Sequence, residues 1–266
     1  SGGTDSFTIT GNTGTTTVNT GIGAADITVT ALSAPLILNT QLGLNTITLG
    51  DPLSALAGAI TITGSGSDTL TLNDATDSVG ANATLTSSAF TIAASTFGGL
   101  TYFGLSQITI NLGSAGDTLL IASTNPATPV AINTGSGDDT VNVQTTSSAV
   151  TLTLGNGADV INVGSLAPVN GGTLSLIQGG VSISAGGNAT LNLDDDADTN
   201  AGLATLNPAT FTGLGMIAAG ISYSGLSNFN LLLGSGGNTV NVVANASVTS
   251  YQITGGTGGD TFNIQS

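Results

Sequence analysis

Aspartate is the strongest metal-ligating residue type that this chain contains. All 15 acidic residues are Asp, and the sequence has no Lys, Arg, His or Cys. Most of the aspartates stand in a recurring nine-residue pattern, Gly-x-Gly-x-Asp/Asn-Thr-aliphatic-Asn/Thr-aliphatic. Carboxylate oxygens are the hard ligands that Ca²⁺ prefers. The pattern therefore indicates Ca²⁺ as the candidate cofactor, and the candidate metal ligands are Asp68, Asp117, Asp138, Asp139, Asp159 and Asp260.

These loop aspartates have no basic partner anywhere in the sequence. If the copies stack as paired strands do, Asp117, Asp139 and Asp159 lie roughly 4.8 Å apart from one copy to the next. Like charges that close raise one another's pKa unless a cation intervenes. A second interpretation needs no ion, because an Asp can cap its own glycine turn through an Asx hydrogen bond. Both interpretations stay open on the sequence alone.

The composition excludes most catalytic machinery. Without His, Cys, Lys, Arg or Glu there is no Ser-His-Asp or Cys-His triad, no Schiff-base lysine, no Cys/His zinc site and no arginine clamp for a phosphoryl group. Paired carboxylates could still serve a glycosidase. The aspartates, however, repeat with the glycine turns, whereas an active site breaks a repeat. We therefore expect no enzyme.

The charge of the chain limits its partners. A net charge of −15 with no Lys or Arg argues against nucleic acid, because such binding depends on basic residues that neutralise phosphates. Anionic lipid is disfavoured for the same reason. No run of about 18 apolar residues is present, so we expect no membrane insertion.

The nine-residue pattern recurs about once every 20 to 23 residues, with larger intervals of 30 and 49 residues. The clear copies begin at Gly64, Gly113, Gly135, Gly155, Gly234 and Gly256, and weaker copies begin at Ser1, Gly21, Gln41 and Ala185. Each of the two 49-residue intervals has room for one degenerate turn. A glycine loop followed by an alternating strand at this period is typical of a solenoid.

The loop motif resembles the nonapeptide of RTX-type calcium-binding proteins. In GSGDDTVNV, the residues Gly135, Gly137, Asp139 and Val141 match the family's second and third glycines, aspartate and aliphatic positions. The resemblance implies Ca²⁺ bound between successive loops by Asp oxygens and main-chain carbonyls. The sequence departs from the family in two ways. Its copies come once per turn, and other residues, such as Thr134, replace the family's first glycine.

A longer repeat lies above the short one. A shift of 121 residues superposes Ile60–Asp74 on Val181–Asp195. The predicted organisation is a closing turn over residues 1–20, a first repeat unit over 21–134, a second unit over 135–255 and an opening turn over 256–266. The second unit has seven extra residues between Gly164 and Val181. Its acidic cluster, Asp194, Asp195, Asp196 and Asp198, has Asp74 and Asp77 as its counterpart in the first unit. Four carboxylates in five residues could chelate Ca²⁺, but the cluster lacks EF-hand spacing and we interpret it as a solvated loop.

The alternation of aliphatic and polar residues after each glycine loop predicts short strands with one buried face. Stacking such turns predicts an all-β fold, a parallel and right-handed β-helix or β-solenoid of about eleven turns of 20–25 residues. Equivalent side chains would then form ladders. The predicted interior ladder is Leu70, Leu119, Val141, Ile161, Leu191 and Val240. The predicted exterior ladder is Thr28, Thr48, Thr71, Asn142, Asn162, Asn192, Asn241 and Asn263.

This organisation resembles that of very large repetitive bacterial surface proteins. The resemblance implies a structural protein, extracellular or on the cell surface, whose segment forms a filament, sheath, stalk or adhesin shaft. Its partner would be itself, by head-to-tail assembly or as part of a longer array, with surface glycans as further partners. The alternative is an RTX-like module that folds on binding external Ca²⁺. A more distant alternative is a polysaccharide-binding β-helix.

Overall fold

The computed structural model describes residues 4–243, 248 and 250–265. These residues form 21 β-strands and one short 3₁₀ turn, Leu53–Ala55, with no α-helix among them. All 21 strands are hydrogen-bonded into one continuous sheet. The weak pattern copy at Ser1 begins in residues that lie outside this description.

The strands are short except for four of 12 to 15 residues, β6, β9, β15 and β18. In the first half of the chain they are β1 Asp5–Ile9, β2 Thr16–Asn19, β3 Ala25–Val29, β4 Leu36–Asn39, β5 Thr46–Gly50, β6 Ile60–Asn73, β7 Asn82–Leu85, β8 Ala89–Ala93, β9 Leu100–Asn111, β10 Thr118–Ile121 and β11 Val130–Gly135. In the second half they are β12 Thr140–Val143, β13 Val150–Leu154, β14 Val160–Val163, β15 Val181–Asp195, β16 Leu203–Asn207, β17 Thr210–Gly213, β18 Ile221–Leu233, β19 Thr239–Val243, β20 Ser250–Thr254 and β21 Thr261–Gln265.

The strands follow from the alternation of the sequence. In β13, Val150, Leu152 and Leu154 are buried, while Thr151 and Thr153 between them are exposed. Side chains in a strand point to opposite faces in turn, so one face of each strand enters the core and the other meets solvent. The buried faces join into a single hydrophobic core that runs through all of the well-buried strands.

Most strand pairs are parallel and join segments about 20 residues apart. β10 pairs with β12, and β12 with β14, so that Leu119, Val141 and Ile161 stack in one buried row that Leu191 of β15 continues. The predicted interior ladder is confirmed over these four residues. It is wrong for Leu70, which stacks on Ile108 in a different row of strands.

Two β-hairpins interrupt the parallel pairing. In the first half, β8 pairs antiparallel with both β7 and β9, and in the second half β17 pairs antiparallel with both β16 and β18. The hairpins lie 121 residues apart, because β7 begins at Asn82 and β16 at Leu203. They occupy the two 49-residue intervals in which the sequence indicated a degenerate turn.

The prediction of a regular parallel β-helix was therefore wrong. The sheet is mixed, and nine of its strands close into a β-barrel in the order β9, β8, β7, β10, β12, β14, β15, β13 and β11, with the remaining strands outside it. Two features produce the closure. The first hairpin, β7–β8, reverses the chain without a glycine motif, and the long strands β9 and β15 each pair with different neighbours through their two halves.

Each hairpin is held against the core by two aromatic residues, a buried Phe in the hairpin and a Tyr in the long strand that follows. Phe90 and Phe211 are fully buried in β8 and β17. The hydroxyl of Tyr102 donates to the carbonyl oxygen of Thr86 at 2.6 Å, and that of Tyr223 donates to Asn207 at 2.8 Å. Burial raises the pKa of Tyr102 to about 12, so its hydroxyl stays protonated as a donor. The hydrogen bonds hold the end of β7 or β16 against the following long strand.

We predict that Tyr102→Phe destabilises the protein. The substitution keeps the ring and leaves the Thr86 carbonyl without its 2.6 Å donor, which should cost about 1 kcal/mol. Urea denaturation followed by circular dichroism measures the change. Phe103→Leu, at the neighbouring exposed position, is the control and should have little effect. Equal stability of Tyr102→Phe and the unsubstituted protein would contradict the role of this hydrogen bond.

Candidate functional site: the buried aspartate loops

Three of the candidate ligands lie on neighbouring loops because their strands pair in register. Asp117, Asp139 and Asp159 each stand in the glycine loop just before β10, β12 or β14. Parallel pairing of those strands brings the loops side by side. All three side chains are buried, with at most 2% of their surface exposed. The predicted stacking of these three aspartates is confirmed.

One carboxylate oxygen of each aspartate binds the main chain of the adjacent loop. The N–H of Asp117 donates to Oδ1 of Asp139 at 2.8 Å, and the N–H of Asp139 donates to Oδ1 of Asp159 at 3.1 Å. Oδ1 of Asp117 accepts the N–H of Ala81 at 2.7 Å. The Asx interpretation, in which each Asp caps its own turn, is therefore wrong for these three. Their side chains connect one loop to the next.

The same loop-to-loop bond recurs at the other candidate positions. Oδ1 of Asp260 accepts the N–H of Asn238 at 2.7 Å, and Oδ1 of Asp138 accepts the N–H of Ala158 at 2.8 Å on an exposed part of the loop. Asp68 also caps its own turn, since its Oδ2 accepts the N–H of Ser65 at 2.7 Å. Asp138 lies beside the stacked three, and its charge helps to raise the pKa of Asp139 and Asp159. Asp68 and Asp260 are bonded to other loops, those of Asn45 and Asn238.

The second carboxylate oxygen of each stacked aspartate, Oδ2, lacks the hydrogen-bond partner that Oδ1 has. Oδ2 of Asp117, Asp139 and Asp159 is buried and has no partner at full hydrogen-bond geometry within the described part of the chain, although the hydroxyl of Thr134 is near enough to Asp139 to lower its pKa. A buried charged oxygen without a partner is costly, because the interior solvates it poorly. Binding a proton or a cation would therefore lower the free energy of each of these carboxyl groups in the folded protein.

Burial raises the pKa of all three stacked aspartates. For Asp117 the pKa rises to about 6, because loss of solvation outweighs the hydrogen bond from Ala81, and the charges of Asp139 and Asp74 add to the rise. Burial is also the main cause for Asp139 and Asp159, in each of which neighbouring aspartate charges contribute. Like charges on adjacent loops thus disfavour ionisation, as the sequence predicted.

The donor set suits Ca²⁺ in kind and falls short in number. Ca²⁺ takes 6–8 oxygen ligands. Among residues 4–243, 248 and 250–265, no three acidic side chains converge as a metal-binding group. The Oδ1 atoms are already bonded to main-chain N–H groups, which leaves the Oδ2 atoms for an ion. The remaining ligands would have to be carbonyl oxygens and water.

Sequence reasoning missed a second set of buried aspartates. Asp74 and Asp195 occupy equivalent repeat positions and accept the N–H of Leu53 at 2.7 Å and of Leu174 at 2.9 Å. Both are buried, and so is Asp194, so the interpretation of this cluster as a solvated loop was wrong for Asp194 and Asp195. Burial raises the pKa of Asp195 to about 7, and its Oδ2 is unpartnered in the described chain. The available signal lay outside the glycine pattern: each stands two residues after a leucine of the alternating strand, Leu72 or Leu193, and so on the same face as that leucine.

No protein-family model matches this sequence, and no curated protein matches it. Within the described residues, the chain forms no helix of the length and apolar character that crossing a membrane requires.

We predict that the protein loses stability as the pH rises from about 4 to about 7. The pKa values of Asp117 and Asp195 rise from 3.8 to about 6 and about 7, so the native state binds more protons than the unfolded state in this window. By the linkage relation, the free energy of unfolding then decreases as the pH rises. We expect the melting temperature to drop by about 5 °C or more between pH 4.5 and pH 8.

Asp139→Asn provides the matched variant for this pH test. An Asn side chain keeps an Oδ1 acceptor for the N–H of Asp117 and removes a buried charge. Asn238 already does this, since its Oδ1 accepts the N–H of Gly202 at 2.9 Å. We expect Asp139→Asn to melt higher at pH 8, and the Asp26→Asn control, at an exposed position of β3, to change little. A melting temperature that is constant across this pH range would contradict the prediction.

Proposed function

We propose that this chain is a structural segment of an extracellular or cell-surface array, built by stacking strands on strands. Such a segment would serve as part of a filament, sheath, stalk or adhesin shaft. The observation that carries the proposal is the presence of unpaired strand edges at the two limits of the sheet. Among the described strands, β1 and β2 each pair on one side, with β3 and β4, and β20 and β21 each pair on one side, with β18 and β19.

The edge at β21 carries apolar side chains that another strand would cover. Phe262 is 42% exposed and Ile264 is 80% exposed. At the opposite limit, Phe7 and Ile9 of β1 stand at the corresponding pattern positions and pack only partly against the core. Open edges and exposed apolar residues are features that soluble proteins usually avoid. They suit a strand of the same pattern from a longer array or from a second copy.

Ladders along the stack support a mechanical role. Asn192 donates to Asn162, and Asn162 donates to Asn142, each at 2.8 Å, and Asn263 donates to Asn241 at 2.9 Å. The predicted exterior ladder is confirmed for Asn142, Asn162 and Asn192. It is wrong as a single row, because Asn241 and Asn263 form a separate pair and Thr28, Thr48 and Thr71 stack in another row of strands. Stacked amides add side-chain hydrogen bonds to those of the main chain, as in fibrils. Because the sequence has no Lys or Arg, trypsin-like proteases have no cleavage site in it, which suits exposure outside a cell.

We predict that a charge at the β21 edge blocks assembly. Phe262→Asp with Ile264→Asp would place two carboxylates where the next strand must pair, beside a chain that is already strongly acidic. Electron microscopy and sedimentation velocity should show rods or larger species for the unsubstituted protein and single particles for the variant. Leu42→Asp, at a loop residue that is 71% exposed, is the control and should assemble normally. Single particles of the unsubstituted protein under all conditions, with no rods in native material, would refute the proposal.

The second candidate function is a calcium-dependent module, and the unpartnered Oδ2 atoms of Asp117, Asp139 and Asp159 favour it. An ion between these loops would offset the like charges that burial leaves unpaired. We predict that saturating Ca²⁺ raises the melting temperature at pH 8 and that excess chelator lowers it. Asp117→Asn with Asp159→Asn should remove the response, while Asp26→Asn, at an exposed position of β3, should keep it. A melting temperature that neither Ca²⁺ nor chelator changes would exclude this candidate.

A further inference from the structure

A groove with both polar and apolar lining residues, Leu231 and Leu232 among the latter, lies in the second half of the chain. Its volume is about 410 Å³, within the range of about 300–1,000 Å³ that is usual for small-ligand sites. Asn162, Asn192 and Asn230 line it along successive strands, and Pro168 and Asn170 line it from the loop between β14 and β15. Gln252 of β20 lies on the same lining. The groove is separate from the buried loops of Asp117, Asp139 and Asp159.

Two departures from the internal repeat meet in this groove. The first is the loop, because the seven residues that the second unit adds between Gly164 and Val181 lie in the segment that contains Pro168 and Asn170. The second is the strand face. Where the second unit has Asn162, Asn192 and Asn230, the first unit has Thr48, Thr71 and Thr109 in the same paired register. A purely structural repeat gives no reason for both changes to occur at one place.

The three asparagines present an ordered row of donors and acceptors. Asn230 donates to Asn192 and Asn192 donates to Asn162, each at 2.8 Å. These bonds fix the side-chain amides and use one N–H of each donor. An amide has two N–H donors and an oxygen with two lone pairs, so each fixed group retains capacity for a ligand. All three side chains are partly exposed, and Asn170 and Gln252 are exposed.

The charges around the groove select the class of ligand. Asp194 is the one acidic residue on its lining, and its carboxylate is occupied by the N–H of Gly172 at 2.7 Å and that of Asp196 at 3.2 Å. The chain has no basic residue and a net charge of −15, so it repels anions. Neutral hydroxyl groups, which both donate and accept, match fixed amides best. Amides that repeat at the strand spacing, about 4.8 Å, match a ligand with repeated hydroxyl groups.

We propose that the groove over Asn162, Asn192 and Asn230 binds a neutral oligosaccharide. This goes beyond the structural role, because it gives one side of the second repeat unit a recognition function. The first unit, with Thr at the corresponding ladder positions and the shorter loop, does not share it.

Titration calorimetry and saturation-transfer NMR with cellohexaose, maltohexaose, chitohexaose and xylohexaose test the proposal, with hexagalacturonate as the anionic comparison. We expect saturable binding of at least one neutral probe and none of the anionic one. Asn192→Thr with Asn230→Thr gives these positions the residues of the first unit and preserves strand propensity. This variant should bind about tenfold or more weakly, as expected for the loss of two hydrogen bonds of about 1 kcal/mol each.

Asn170→Ala keeps the amide ladder intact and tests the loop wall separately, and it should also weaken binding. Asn241→Thr with Asn263→Thr removes a ladder bond of 2.9 Å away from the groove and should bind as the unsubstituted protein does. Circular dichroism melts confirm that each variant is folded. The proposal is overturned if no neutral probe binds at millimolar concentration, if the anionic probe binds equally well, or if the groove variants bind like the control.

Discussion

Registered pairing of equivalent strands is the constraint on which the rest of this structure depends. When strands about 20 residues apart pair in parallel, each side chain lies beside its own counterpart. The effect of one residue type on stability is therefore repeated at every strand of the row. Aliphatic residues give a continuous core and asparagines give a chain of amide bonds. Aspartates give a row of buried like charges, and main-chain N–H groups on the neighbouring loops stabilise one oxygen of each.

The local features of the fold could be predicted from the sequence, and the closure could not. Alternation in segments such as β13 predicts which residues are buried, because a strand has a side-chain period of two. The hairpins β7–β8 and β16–β17 carry no glycine motif, so their intervals indicated another turn of the same kind. Whether a segment continues a stack or turns back depends on contacts such as that of Tyr102 with Thr86, which join residues 16 positions apart. The long strands then close the nine-strand barrel through pairings that no local pattern encodes.

For the candidate site, too, some features could be predicted from the sequence and others depend on how the loops lie in space. The pattern located Asp117, Asp139 and Asp159 and placed them next to one another, because position in a repeat is visible in the sequence. It did not show that their Oδ1 atoms bind the preceding loop, since that depends on how two loops lie in space. It also gave no sign that Asp195 is buried. A run of four aspartates in five residues suggests a solvated loop, whereas the structure folds the main chain of Leu174 over one of them.

The hairpins also determine how the molecule would carry tension along the stack. Only two residue pairs join β8 to β9, and only two join β17 to β18, so these pairings are short. The long strand of each short pairing is also paired extensively on its other side. β9 is paired to β6 through ten residues, and β18 is paired to β15 through eleven. A force that separated these strands would have to break those hydrogen bonds together rather than one after another. A pull that opened a hairpin would therefore transfer to the adjacent long strands, and the chain would keep its continuity across the place where its order is broken.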